Sequence, residues 1–545
     1  MNKMIKNSLL MLAAGALAVS CADYNETDNF KADPDPLVVD LYKDLKPVKE
    51  YIDHQNYPNM SLGATLNVKD FNDQTLAHAA AVTNFTDLYF GTSLMSGKII
   101  SEKGVMNYID MKALLDHVEE IGGDVYGSAL AANSGQADGW LNLLVSPIEI
   151  YVEFIELLTV DFSKVDTFEG EDAEIVKKDG QNVLKISSLS DVDIVDGFKI
   201  EPKAKYTTQF WVKSDKACTF SVTFSGTEIE GPVGGMYSIE GGGEWSRIAV
   251  EAQGAEGVED GYLRIGTGRG STLYVKRVQV GYMPDNHRDQ TPEEISDTIH
   301  WAMNAWCDGL MKNNAGRIQS FDLIEEPLAT QTLDDGYHFD LKHSTDKIYW
   351  QDIFGSENYA PVVSKDAVNA YVKYGGNPDD LKFYIAETGL DNTQKYESLM
   401  YWIDIWTQKG AKIDGINAKL DLTYSEDAAT QSENEDKLKA LFDNLVLSGK
   451  MIRLSNFDIK YQNAEGKNVT AKEITTEQRQ KLADYYGYVI RKYMERIPHD
   501  KQAGICKGNM ADTTDPVGIW TVDSKTKDWV RNATYKAFCD ALSGN

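Results

Sequence analysis

Basic residues are scarce in this sequence. Lysine and arginine number 54 against 84 aspartates and glutamates, a formal net charge of −30. That surplus keeps a chain soluble and works against binding nucleic acid or an anionic membrane surface through a basic face. Cysteine is rarer still. Cys21, Cys218, Cys307, Cys506 and Cys539 include no C-x-x-C pair and none lies at metal-ligand spacing from a histidine, so neither a zinc site nor a disulfide framework is indicated. The last four are expected to pack as buried thiols. No internal apolar run approaches the roughly 18 residues of a membrane span. No dinucleotide glycine fingerprint or Walker motif lies between a strand and a helix, so no cofactor is indicated.

What is present is ample. The 545 residues, 42% hydrophobic and 10% aromatic, can fill two to four domains of roughly 150 residues each. Disorder along the whole chain is excluded.

The first 21 residues carry Lys3 and Lys6, an apolar run from Leu9 to Val19, and small residues before Cys21. That is the layout of an export signal. The small-residue cluster ending in cysteine resembles the bacterial lipoprotein signal, although Ala18 stands where leucine is commoner, and it implies lipidation at Cys21. The alternative is an ordinary secretory signal with a coincidental cysteine. Residues 22–54 are polar and acidic and read as a flexible tether. Asp23, Glu26 and Asp28 resemble the acidic export tag of surface lipoproteins in Bacteroides-like bacteria. The expected location is therefore the outer membrane, facing the cell surface, with membrane contact only through the lipid.

From 159 to 283 short runs alternate apolar and polar residues, broken by glycine (NVLKISSL, TTQFWVKS, TFSVTFSG, LYVKRVQVGY). This predicts an all-β, jelly-roll-like sandwich. Residues 55–158 and 284–545 instead alternate strand-like runs (LYFG, IQSFDLI, LKFYIA, MIRLSNFDI) with helix-period segments such as PEEISDTIHWAMNAWCDGLMKN and KYESLMYWIDIWTQKG. Repeated strand–helix alternation predicts an α/β fold with a parallel sheet, as a (β/α)8 TIM barrel or a doubly wound sheet. Without a nucleotide fingerprint the barrel is the better fit, interrupted by the inserted sandwich.

Six short segments occur in an order that resembles glycoside hydrolase family 10, the endo-β-1,4-xylanases. They are SLGATLN (61–67), VYGSALAANSGQADGWL (125–141), FDLIEEP (321–327), YWQDIFGSENYA through LKFYIAETG (349–389), KIDGINAKL (412–420) and IRLSNFDIKY (452–461). The resemblance implies a (β/α)8 barrel. It also implies a carbohydrate-binding role for the insert, which some members from gut Bacteroidetes carry inside the barrel.

A retaining glycosidase needs two carboxylates about 5–5.5 Å apart, one as acid/base and one as nucleophile. By the resemblance, Glu326 holds the acid/base position. Glu325 replaces an asparagine that touches sugar, and strand alternation is expected to send Glu325 and Glu326 to opposite sides, with their like charge raising one pKa. Asn456 falls where the nucleophilic glutamate belongs, and a neutral amide cannot attack the anomeric carbon. Asp458 is the nearest spare acid, roughly 6.6 Å along the strand. The sugar-binding histidines and tryptophan of the third strand become Ser128, Asn133 and Ala132. The sixth-strand Gln and His become Lys419 and Asp421. The Asn-Asp-Tyr-Asn motif becomes Ala386, Glu387, Thr388 and Gly389, and Lys507 stands for a sugar-covering tryptophan. Gln136, Glu325, Asn133, Glu387, Lys419, Asp421, Asp458 and Lys507 are thus candidate glycan contacts.

Trp301, Trp306, Trp402 and Trp406 sit at helical spacings and are expected to pack between helices and barrel. In the insert, Tyr206, Trp211, Tyr237, Trp245, Tyr262 and Tyr274 could stack on sugars. Alternation puts Phe210 and Trp211 on opposite sheet faces, and Trp211 and Trp245 are the insert's candidates for glycan contact.

Three readings follow. The first is a surface lipoprotein that captures a xylan-like or other β-glycan without cutting it, beside other glycan-uptake proteins of the outer membrane. The second is an active endo-acting hydrolase using Glu326 with Asp421, Glu387 or Asp458. The third is a scaffold that contacts partner lipoproteins. The order of preference is as given.

Overall fold

The computed structural model describes residues 41–225, 227–230, 235–255 and 260–544. Cys21 and the acidic residues behind it lie outside these. Eight parallel strands close into a barrel: β1 (Ser61–Thr65), β2 (Asp87–Tyr89), β3 (Asp124–Gly127), β4 (Ser320–Glu325), β5 (Lys382–Thr388), β6 (Gly415–Lys419), β7 (Met451–Ser455) and β8 (Gln502–Lys507). Each pairs with its neighbours in chain order, and β8 pairs with β1 to close the ring. Helices alternate with the strands: α1 (Leu76–Asn84), α2 (Ile109–Glu120), α3 (Pro292–Asn314), α4 (Tyr359–Lys373), α5 (Thr393–Gln408), α6 (Ala428–Leu447), α7 (Thr476–Arg496) and α8 (Ala533–Leu542).

The sequence sets these boundaries locally. Thr291 caps α3 through the Glu294 N–H while Glu294 reaches back to the Thr291 N–H, a reciprocal pair that satisfies two otherwise orphaned donors. Alternate residues of each strand face the helices, and these are apolar: Leu62 and Ala64, Phe321 and Leu323, Ile452 and Leu454 are all buried. Burial of this shell at about 25 cal/mol per Å² is what the barrel stands on.

The inward-facing residues depart from the branched aliphatic filling usual in such barrels. Asp87, Tyr126, Asp322, Tyr384, Asn417 and Arg453 occupy the barrel interior, all buried. Gly415 makes room for one of them, since a Cβ there would come within 2.3 Å of the Tyr384 ring.

Between β3 and α3 the chain leaves the barrel. A short antiparallel pairing of Ile148–Glu149 with His287–Arg288 forms the stem. Beyond it lie two antiparallel sheets. One runs in the order 227–230, 246–254, 205–213, 273–283, 181–186, 173–178, with 155–161 also paired to 273–283; the other runs 236–239, 218–224, 260–267, 191–199. Strict alternation buries Tyr206, Thr208, Phe210 and Val212 between the sheets, and this core is separate from the barrel's. The sandwich strands begin at Ile155, a few residues before the texture of the sequence changes.

Part of the expected tether is not free. Val48 and Ile52 are buried in the barrel core. Arg531 donates to the carbonyls of Tyr42, Lys43 and Leu45, and the Tyr535 hydroxyl donates to that of Lys46. Two apolar residues in a polar stretch are enough to dock the segment. Cys218, Cys307, Cys506 and Cys539 are free and buried. Among the described residues no helix is long and apolar enough to cross a membrane, and no group of His, Cys, Asp or Glu is placed to hold a metal ion.

Candidate functional site

The carboxyl ends of the strands surround a cavity of about 380 Å³. Its floor is the polar layer of Tyr126, Asp322, Asn417 and Arg453; its walls include Tyr89, Glu325, Lys419, Ser455, Asn456 and Asn509. Two strands end abruptly at this mouth. Glu326 and Asn456, immediately after β4 and β7, both take positive φ, at 46° and 53°. Left-handed backbone is uncommon outside glycine and turns each side chain off its strand's alternation.

That geometry corrects one expectation. Glu325 and Glu326 do not diverge: Lys419 Nζ donates to Glu325 Oε1 and to Glu326 Oε1, each at 2.7 Å. A register shift in β4 between Asp322 and Ile324, together with the positive φ at Glu326, folds both carboxylates toward the ammonium from β6. Lys342 lies 3.8 Å from the other Glu326 oxygen. Burial alone would push the Glu326 carboxyl up. The hydrogen bond and charge of Lys419, with Lys342 and Lys395 nearby, outweigh it and hold the group below the usual glutamate value. Lys419 is correspondingly raised, burial being overcome by its two acidic partners. A general acid needs the opposite, a carboxyl kept protonated by a raised pKa.

Asn456, the residue that the resemblance aligns with a nucleophile, donates from Nδ2 to the Leu420 carbonyl at 2.9 Å, so the amide ties β7's end to β6's. Asp458 is not available in its stead. It pairs with the fully buried Lys507 and accepts from the Asn509 N–H at 3.0 Å and Asn509 Nδ2 at 2.6 Å. Burial pulls the Lys507 ammonium down in pKa, against the raising charge of Asp458. Gly508 is required there, since a Cβ would lie 2.6 Å from Asp458 Oδ2.

Other candidates are dispersed or committed to structure. Glu387 is buried, paired with Lys395 at 2.9 Å and accepting the Leu328 and Thr388 N–H groups. Asp421 is 82% exposed and within 3.4 Å of Lys460 on the surface. Gln136 donates to Asp138 and to the Ile348 carbonyl, while Asn133 accepts from Gln351 and Ser128 donates to the Gly91 carbonyl. Of the helix tryptophans, Trp306, Trp402 and Trp406 are buried, but Trp301 is 57% exposed and meets the edge of Trp140, which corrects the packing expectation. In the insert Tyr206 is core and Tyr237 stacks on Phe220. Trp245 donates to Asp179 at 3.1 Å, and Trp211 lies on the outer face opposite the buried Phe210.

Sequence reasoning did not single out the polar floor. Tyr126 donates to Asp322 Oδ1 at 2.7 Å, and Asn417 Nδ2 donates to both Asp322 oxygens. Burial dominates and pushes the Asp322 carboxyl up to about 7, against the lowering pull of those donors. Arg453 pairs with Asp87 at 2.9 Å and stacks 3.9 Å from the Tyr126 ring centroid. The available signal was a charged residue set between apolar strand neighbours, Asp322 in FDL and Arg453 in IRL.

Residues 278–532 match the model of glycosyl hydrolase family 10. Among solved structures, the Penicillium canescens endo-1,4-beta-xylanase XylE is similar at 12% identity and TM-score 0.50, covering 92% of this chain and 98% of its own. Xylanase B from Clostridium stercorarium F9 is similar at 11% identity and TM-score 0.51, covering 91% and 100%. A family 10 enzyme from Paenibacillus barcinonensis gives 12% identity and TM-score 0.50, covering 89% and 96%. No curated protein matches the chain. The barrel is thus of the xylanase type in fold.

Proposed function

We propose, from the premise of a family 10 xylanase-like barrel matched over residues 278–532, that this protein binds a β-glycan without hydrolysing it. One observation carries the reading: at the two positions where retaining chemistry needs carboxylates in complementary states, Asn456 is tied to the Leu420 carbonyl and Glu326 is held anionic by Lys419. Neither can play its part. The cavity, with hydroxyl, amide and charged groups around Tyr89 and Tyr126, retains the mixed polar and aromatic lining that suits a sugar. Native electrophoresis of the protein through gels containing xylan or other β-glycans tests the reading. Retardation with no shortening of the polymer is expected, and free migration on every glycan counts against it.

A second reading, altered hydrolysis, draws support from the two carboxylates that bracket Lys419. It requires that Lys419 leave them during turnover, and it predicts soluble oligosaccharide that E326Q abolishes. The export reading of residues 1–21 completes the proposal as a lipid-anchored surface protein; mass spectrometry of the processed N-terminus, showing or lacking an acylated Cys21, tests it.

A further inference from the structure

The outer face of the larger insert sheet carries an arrangement that the barrel does not use. Trp211 is directly opposite Arg247 on one neighbouring strand and Arg277 on the other. All three have outward register, because Phe210, Ile248 and Val278 turn to the opposite face. Arg247 and Arg277 are exposed, and the Arg277 guanidinium lies 5.7 Å from the Trp211 ring centroid. The next row holds Ala249, Gln209 and Gln279. Gln209 Oε1 accepts from Arg247 Nε at 3.1 Å, which holds that side chain along the sheet.

Charge makes this row unusual. In a chain of net charge −30, neither guanidinium has an ion pair among the described residues. Asp161, opposite Arg277 on the strand beyond, accepts from Ser163 and lies near Lys164, and the Arg277 charge acts on it without a direct ion pair. Glu251 is on the same face but lies beside Thr207, four residues along the strand from Trp211, which is roughly 13 Å, whereas Glu156 reaches back from that row and its carboxylate accepts from Gln279 Nε2 at 2.6 Å, where the Arg277 charge helps to lower its pKa. The two arginine strands are separated by two strand spacings, roughly 10 Å, with an aromatic ring between them.

We propose that this face is a second glycan site, and that its ligand is a carboxylated sugar, a uronate unit of an acidic polysaccharide. The Trp211 ring offers a flat apolar surface to the C–H face of a pyranose. The flanking guanidiniums offer paired N–H donors that match a planar carboxylate, and the Gln209 amide N–H groups are left to donate to a hydroxyl. The small Ala249 side chain leaves the row beside Trp211 clear. The site extends the glycan-binding reading to the insert and rests on it.

The test is affinity electrophoresis of the full chain in gels containing glucuronic-acid-substituted xylan, the same polymer after reduction of its carboxyl groups, and dextran sulfate. The wild type is expected to bind the acidic xylan at least about ten-fold more tightly than the reduced polymer, the size of one charge-assisted contact. R247Q/R277Q is expected to erase that preference, and W211A to weaken binding of both xylans. Circular dichroism of these surface variants checks folding. Equal affinity for the two xylans, or an unchanged preference in R247Q/R277Q, overturns the proposal. Dextran sulfate bound as tightly as acidic xylan overturns the carboxylate assignment. Binding that persists in these variants but is lost on altering Tyr89 in the barrel mouth defeats this site alone, whereas no binding of any polymer defeats the glycan reading as a whole.

Discussion

Lys419 Nζ sits 2.7 Å from Glu326 Oε1, bridging the ends of β6 and β4 across the barrel mouth. A single cation from β6 thereby holds the Glu326 carboxyl below the usual glutamate value. On the proposed reading, Asn456 at the nucleophile position would remove one half of retaining chemistry and this contact the other.

Replacing the clamp should release the acid. In K419Q, burial is no longer opposed by the ammonium, so the Glu326 pKa is expected to rise. Carboxyl-carbon NMR titration of the wild type and variant measures it; an unchanged or lower value would show that Lys419 is not the cause. In the wild type the depressed pKa contributes stability above the unfolded glutamate value, and that contribution is lost as pH falls.

Restoring the nucleophile alone should not restore the reaction. N456E is expected to release no reducing ends from xylan, because Glu326 remains anionic beside Lys419. The variant also loses the bond to the Leu420 carbonyl and places a long side chain at positive φ. A stability loss of about 1–2 kcal/mol is expected by urea denaturation.

Much of this was legible in the sequence. The parallel barrel followed from strand–helix alternation, and the outward aliphatics of LKFYIA and MIRLS fall on the helix side as that pattern requires. Asn456 and Glu326 lie immediately after β7 and β4. What the sequence hid depends on backbone turns and on contacts between distant strands. Positive φ at Glu326 brought Glu325 to the same lysine, and the pairing of Asp458 with Lys507 joins residues 49 positions apart. Trp301 kept helical spacing yet lies on the outer face of α3, because periodicity fixes a stripe and not what covers it.

The polar floor should matter to stability in a specific way. Arg453 and Asp87 are both buried, and R453M leaves the carboxylate without its cation. A loss of about 3–5 kcal/mol is expected, read from the denaturation midpoint. A loss below about 1 kcal/mol would mean that the pair is not buried as described.

Asp322 gives a pH signature. Its folded pKa, raised to about 7, lies above the unfolded value, so the folded state binds the extra proton between about pH 4 and 7. Its contribution to stability is full at the acid end of that window and falls as pH rises through it. D322N should abolish that decline when denaturation is compared at pH 5 and pH 8. Asn417, whose Oδ1 has no partner, can turn its amide to accept from the new side chain.

The most direct test is prolonged incubation of the protein with xylan, followed by chromatography of soluble oligosaccharides beside an E326Q control. The account predicts no release above background in either sample while the wild type still binds the polymer. Oligosaccharide release by the wild type that disappears in E326Q would contradict it.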